Sequence, residues 1–264
     1  MAKIFAADRI VPTWLAAAKG LSEAGSVGQN WVLEIADPVS LTAEDRTAID
    51  RVDAALRAST DTSIKTVAAT IFPQSVYRRH GRPDFYEAYL KIIRRAKKKG
   101  TWGTYAWRMI ERRATDPGQT INPLEQVIEK IKRASTVGHR YKSNYELATM
   151  SPTGDLDLPV DVAAELPTYD ASRDGACVSN IPCLSHLSFK LGNAGNVHLT
   201  AVYRSHYYCQ RALGNLIGLG QLLNFVAVEA ELGVGSLTCV STHAVLDLKA
   251  WGGAGSGRAL MQAL

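Results

Sequence analysis

Apolar residues recur at helical spacing through the first half of the chain and turn to strand-like alternation in the second. Trp14, Leu15, Ala18 and Leu21 share one face between Pro12 and Gly25, which predicts an amphipathic helix closed by the glycine. The apolar run from Trp31, closed by Pro38, predicts a strand. A second helix opens at Thr42-Ala43-Glu44-Asp45, where Thr42 and Asp45 make a capping pair, and runs through Ile49, Val52 and Leu56. Residues 64–72 are apolar and fit helix or strand, with a break at Pro73. Helical spacing returns over residues 84–99 and again over 123–133, where Pro123 suits a first turn.

Residues 135–179 are irregular, with Pro152, Pro159 and Pro167, and read as loops carrying short strands, one of them over 156–162. Residues 184–191 alternate as a strand, Asn193-Ala194-Gly195-Asn196 makes a hairpin turn, and 197–203 return as the partner strand. A long apolar helix follows over 213–232 and stops at Gly233; its glycines suit close helix packing. Residues 236–242 read as a strand and 243–249 as the start of a last helix.

Composition narrows the class. The 264 residues are 46% hydrophobic and 21% charged, which excludes a disordered or collagen-like chain. The expectation is one α/β body over residues 1–250 and a glycine-rich C-terminal tail over 251–264. No unbroken apolar run of the roughly 20 residues a membrane span needs is present, and no secretory h-region opens the chain. Four cysteines without a C-x-x-C pair argue against a disulfide scaffold and a zinc knuckle. A cytoplasmic protein with no membrane partner is expected. The net charge of +5 is unevenly placed: residues 76–142 hold 17 Lys/Arg against 6 Asp/Glu. The dense run from Arg94 to Lys99 reads as the solvated, cation-rich end of a helix, or as a phosphate patch; no nucleic-acid signature accompanies it, and nucleic acid is not an expected partner.

Candidate chemistry centres on Cys183. Pro182-Cys183 leads into the first hairpin strand and Arg204-Ser205 ends the second, so the hairpin can set a cation beside a thiol and raise its thiolate fraction. A buried, inert cysteine is the alternative. The six histidines have no metal-binding spacing, and no metal is expected. Asn215 lies near a helix start in apolar surroundings, either as a cap or as a carboxamide that donates and accepts at once, which suits the imide edge of a uracil.

The blocks IPCLSHLSF (181–189), VHLTAVYRS (197–205), ALGN (212–215) and LGVG (232–235) followed by Thr242-His243 resemble the core of the thymidylate synthase family. The segments from Trp102 to Arg108, centred on Tyr105, and from Asn122 to Lys132 are similar to it more weakly. The resemblance implies a thymidylate-synthase-like fold, a mixed β-sheet packed with helices, whose sheet face forms a homodimer. It implies a transferase that adds a one-carbon unit at C5 of a dUMP- or UMP-like pyrimidine nucleotide through a covalent Cys183 adduct. Arg204 and Ser205 would hold the 5′-phosphate, Asn215 the base edge and His243 the ribose; Tyr105 would line the substrate site and Arg173 would be lent across the dimer to the phosphate. The implied one-carbon donor is 5,10-methylenetetrahydrofolate. The chain departs from the pattern at Leu184, Tyr207, Val245, Ala68 and Asp174, mainly on the folate and proton-handling side. A pyrimidine-nucleotide-binding homologue that has lost folate-dependent chemistry is therefore the alternative.

Overall fold

The computed structural model describes residues 2–97, 102–113, 118–136, 168 and 181–264. Its centre is a six-stranded mixed sheet of β1 (Lys3–Ala7), β2 (Val27–Ile35), β5 (Leu184–Leu191), β6 (Asn196–Tyr203), β7 (His206–Tyr207) and β8 (Gly233–Val245). The order is β1-β2-β8-β6-β5, with β7 on the end of β8. A two-stranded pair, β3 (Arg112–Arg113) and β4 (Thr120–Ile121), stands apart. β1–β2 and β6–β8 are parallel, while β2–β8 and the β5–β6 hairpin are antiparallel. Because side chains alternate across a strand, the register lines up Phe5, Leu33, Cys239, Ala201 and Leu187 on one face, and Ile4, Val32, Val240, Val202 and His186 on the other.

The first face is covered by α1 (Ile10–Glu23) and α8 (Leu213–Glu229). Helix α8 is apolar on every side because it is sandwiched between β6 and β8 beneath it and α3 (Ile64–Ile71) above it. Its glycines permit that approach: a Cβ on Gly218 would stand 2.7 Å from the Ala68 carbonyl oxygen. The outer layer holds α2 (Ala43–Ser59), α4 (Gln74–His80), α5 (Asp84–Ala96), α6 (Tyr105–Ile110) and α7 (Pro123–Thr136). Phe72, Phe85 and Tyr77 pack their rings on Phe225 of α8, at centroid separations of 4.8–5.2 Å. Thr42 and Asp45 close the capping box at the start of α2. Among the described residues no helix covers the second sheet face.

Several expectations are corrected. The last helix does not start at His243: β8 runs on to Val245 because its end is paired on both sides, by Val27–Gln29 of β2 and by β7. The glycine-rich tail folds, as a 3-10 turn (Leu248–Trp251) and helix α9 (Ala254–Ala263), in which Gly257 lets the backbone close on Leu248 and Met261 is buried. The apolar helix is displaced toward the N-terminus of its sequence pattern: a π-helical turn (Tyr208–Ala212) leads into α8, which stops at Glu229, short of the expected 232. The 22 residues Tyr208–Glu229 are thus long and apolar enough to cross a membrane by length and composition, but 72% of their 18-residue apolar window is buried within the protein. The irregular region expected over 135–179, with its strand at 156–162, lies outside the described residues apart from 135, 136 and 168.

Candidate active site

The strand directions bring three chain segments to one end of the sheet. β5 starts where antiparallel β6 ends, and β8, parallel to β6, ends there too, with Leu184 opposite Tyr203 and Tyr203 opposite Ser241. Cys183 sits at the entry to β5. Its carbonyl accepts from the Arg204 N–H at 2.9 Å, so the hairpin register sets the arginine against the cysteine. The Arg204 guanidinium donates to the Pro182 carbonyl. The Thr242 hydroxyl donates to the carbonyls of Tyr203 and Arg204 at 3.2 and 3.1 Å, tying β8 to the same corner.

Tyr105, at the start of α6, closes the corner from the helical layer. Its phenolic oxygen accepts from the backbone N–H groups of Cys183 and Leu184 at 3.1 and 3.2 Å. Burial pushes the Tyr105 hydroxyl up to about 12, so it stays protonated and has a donor left to give. Burial also raises the Cys183 thiol, and the charges of Arg204 and Arg211 pull it back down. Arg211, exposed on the π-helical turn, is the cation that the sequence did not single out. Tyr203 adds a buried hydroxyl with no hydrogen-bond partner among the described residues, whose ionisation is disfavoured by burial and then by Tyr105, Cys239 and Cys183.

A buried polar chain runs behind this corner. Asn215, in the first turn of α8, has its amide nitrogen 3.1 Å from His206 Nε2. His206 Nδ1 lies 2.9 Å from the Ser241 hydroxyl, and its ring stacks on Tyr203 at 4.0 Å. Ser205 is half-buried at the bend between β6 and β7. His243 is exposed on β8 and makes no hydrogen bond with the other candidates among the described residues. Arg173 lies outside the described residues. The geometry thus joins Cys183, Arg204 and Tyr105 directly, places Asn215 two hydrogen bonds from Ser241 on the neighbouring strand end, and leaves His243 apart. His206 and Arg211 carry no sequence signal of their own, because a lone histidine and a lone arginine each have many bland roles.

Two members of the basic run have local partners, and Lys98 and Lys99 lie outside the described residues. Arg94 pairs with Glu111, and Lys97 lies over the Trp107 ring. Among the described residues no group of three His, Cys, Asp or Glu side chains is placed to hold a metal ion.

The chain is a mixed α/β protein with a cysteine–arginine corner at one end of its sheet. A scan against protein-family models finds no match. Among curated proteins it is similar to several named "Putative thymidylate synthase". It is 35% identical over 79 residues to the one from Methanococcoides burtonii, covering 30% of this chain and 34% of that protein. It is 30% identical over 124 residues to the one from Methanosarcina mazei, covering 47% and 45%. The chain is therefore a distant relative of those proteins, matching a third to under a half of their length. Among solved structures it is similar to the crystal structure of thymidylate synthase from T4 phage, with a TM-score of 0.47 and 14% identity over 89% of this chain and 76% of that one.

Proposed function

We propose that the corner binds a pyrimidine nucleotide and that Cys183 adds to C6 of its ring, as in a thymidylate-synthase-type transferase acting at C5. The observation that carries this reading is the contact of the Arg204 backbone with Cys183, which keeps a guanidinium and a thiol together at a strand end. A guanidinium suits phosphate oxygens, and ligand phosphate bound there sits near the thiol. In the adduct the Sγ–C6 bond forms as the C5–C6 π pair moves onto C5 and the O4 carbonyl, so that C5 becomes nucleophilic toward a one-carbon electrophile. Loss of the C5 proton and expulsion of the thiolate then restore the ring. Ser205, Asn215, His243 and Arg173 complete the proposed substrate set, and the sheet face that no described helix covers is the proposed homodimer surface.

The residues do not fit 5,10-methylenetetrahydrofolate as the donor. Tyr207, 44% exposed, stands where the resemblance expects an aspartate toward folate. Ala68, where a proton-handling glutamate is expected, is buried in α3 with its backbone against Gly218. These replacements, with the raised Cys183 thiol, favour a second reading, a nucleotide-binding homologue without turnover.

Incubation with 5-fluoro-dUMP, with and without methylenetetrahydrofolate, separates the two by intact-protein mass spectrometry. The catalytic reading expects a nucleotide-sized mass increase that Cys183→Ala abolishes and that folate does not enlarge. No adduct, with binding that survives Cys183→Ser yet falls roughly 10- to 100-fold in Arg204→Ala, leaves the binding reading. Absence of any nucleotide binding rejects both.

A further inference from the structure

Arg211 is presented at the Cys183 corner by backbone that is fixed around it. Strand β7 pairs in parallel with Ala244 and Val245 at the end of β8, the strand end whose Thr242 is tied to Tyr203 and Arg204. The π-helical turn follows directly and is pinned at Tyr208, Cys209 and Gln210. The Tyr208 carbonyl accepts from Trp14 Nε1 at 3.0 Å, and the N–H groups of Cys209 and Gln210 donate to the two carboxylate oxygens of Asp247 at 2.8 and 3.2 Å. Tyr208, Cys209 and Ala212 are buried, while Arg211 among them is exposed. A π-turn inside a longer helix is rare and recurs at functional sites. The guanidinium so presented has no anion of its own: among the described residues Arg211 makes no hydrogen bond and no ion pair. The Asp247 carboxylate is spent on the two backbone N–H groups and the Cys209 thiol. The charge of Arg211 acts instead on the Cys183 thiol and the Tyr105 hydroxyl, and no described carboxylate acts on either. Arg204 is used differently, since its guanidinium donates to the Pro182 carbonyl beside Cys183. An unanswered cation in a partly water-excluded corner concentrates anions there, and its fork of donors matches their oxygens.

We propose that Arg211 is an anion-binding residue at the exposed side of the Cys183 corner, placed to hold a second phosphate or carboxylate group besides the one that Arg204 suits. The inference goes beyond the nucleotide reading above and does not depend on it. Two sources supply such a group: the β-phosphate of a nucleoside diphosphate, or a separate small anion bound beside the nucleotide. The N-terminal N–H groups of the turn are not the donors, because Asp247 already takes those of Cys209 and Gln210.

Alkylation of Cys183 by iodoacetate, an anion, and by iodoacetamide, its neutral analogue, tests this, with both rates followed on the Cys183 peptide by mass spectrometry. Both reagents consume the same thiolate, so the ratio of their rates cancels any change in thiol ionisation and reports the attraction of the anion. At low ionic strength the ratio is expected to fall about 3- to 30-fold in Arg211→Gln, to fall further in Arg211→Glu and to be kept by Arg211→Lys. Protection of Cys183 from iodoacetamide then separates the sources. Protection by dUDP at concentrations about tenfold lower than dUMP, an advantage lost in Arg211→Gln, assigns the group to the nucleotide. Equal protection by both nucleotides, with Arg211-dependent protection by inorganic phosphate or malonate, assigns it to a separate anion. A ratio in folded Arg211→Gln equal to that of the wild type overturns the inference, and so does a Cys183 that reacts with neither reagent in the folded protein. A ratio that falls without Arg211-dependent protection by any of the four anions reduces Arg211 to a distant field and also overturns it. Protection by dUMP alongside an unchanged ratio leaves the nucleotide reading standing without this inference. A ratio that falls while phosphate or malonate protects and neither nucleotide does keeps the anion site and removes the nucleotide.

Discussion

At Cys183 burial and charge act in opposite directions. Desolvation raises the thiol, while Arg204 and Arg211 lower it. Removing either cation therefore raises the thiol further, and the pH profile of Cys183 alkylation by iodoacetamide, read by mass spectrometry, should move to higher pH in Arg211→Gln. An unmoved profile would detach Arg211 from the site. His206 makes the opposite kind of statement, about stability. Its folded value of about 3 lies below the ordinary 6.5, so below pH 6.5 the unfolded chain takes up a proton that the folded chain refuses. Stability is present in full above that pH and falls as pH drops from 6.5 toward 3, at up to about 1.4 kcal/mol per pH unit. Urea midpoints at pH 7, 5.5 and 4.5 should fall along this slope in the wild type, and His206→Gln should flatten it. The cysteine and Arg204 were legible in the sequence because a hairpin's register is local. His206 and Arg211 were not, because their meaning comes from Ser241 and Cys183, far away in the chain.

Among the elements α8 shows most clearly how backbone approach decides a residue type. A methyl on Gly218 would meet the Ala68 carbonyl at 2.7 Å, and backbone cannot move aside as a side chain does. Gly218→Ala gains up to about 1 kcal/mol of helix propensity but forces α3 and α8 apart, at about 1–3 kcal/mol, so it should lower stability. Gly255 in α9 has nothing within 4 Å of the same methyl and a helical backbone, and Gly255→Ala should be neutral or raise stability by up to about 1 kcal/mol. Thermal melts of the two variants shifting in the same direction would defeat the packing account. The long apolar helix, the capping box of α2 and the β5–β6 hairpin were all readable, since each is a local pattern with its own period. Strand β1 was missed because five largely exposed residues on a sheet edge carry no alternation. The end of β8 was misread because its strand state comes from pairing with β2 and β7, a long-range fact.

At the scale of the whole molecule, the described helices that pack on the sheet lie on one side of it. α1 and α8 cover one sheet face, and among the described residues the other face presents Ile4, Val32, Val240 and Val202 in one row and Ala6, Glu34, Thr238 and Thr200 in the next. Ile4 is 68% exposed. A mixed sheet with one solvated face ordinarily alternates apolar inward and polar outward; here an apolar row crosses four strands on the outward side before it ends at His186 of β5. A row of branched side chains across four strands suits a second copy of the same sheet, since a two-fold axis pairs each row with itself and an interface of about 1,200–2,000 Å² is of the standard size. The proposed homodimer is therefore expected to form through this face. Sedimentation velocity should give a dimer for the wild type at micromolar concentration. Val240→Glu, which sets a charge in the middle of the row without touching the buried face, should give a folded monomer with an unchanged circular dichroism spectrum. If the dimer is the unit that completes the phosphate site, the same monomer should lose nucleotide affinity although Cys183, Arg204 and Asn215 are intact. A wild-type monomer that binds nucleotide as tightly as any variant would show instead that the row of valines has no part in the site.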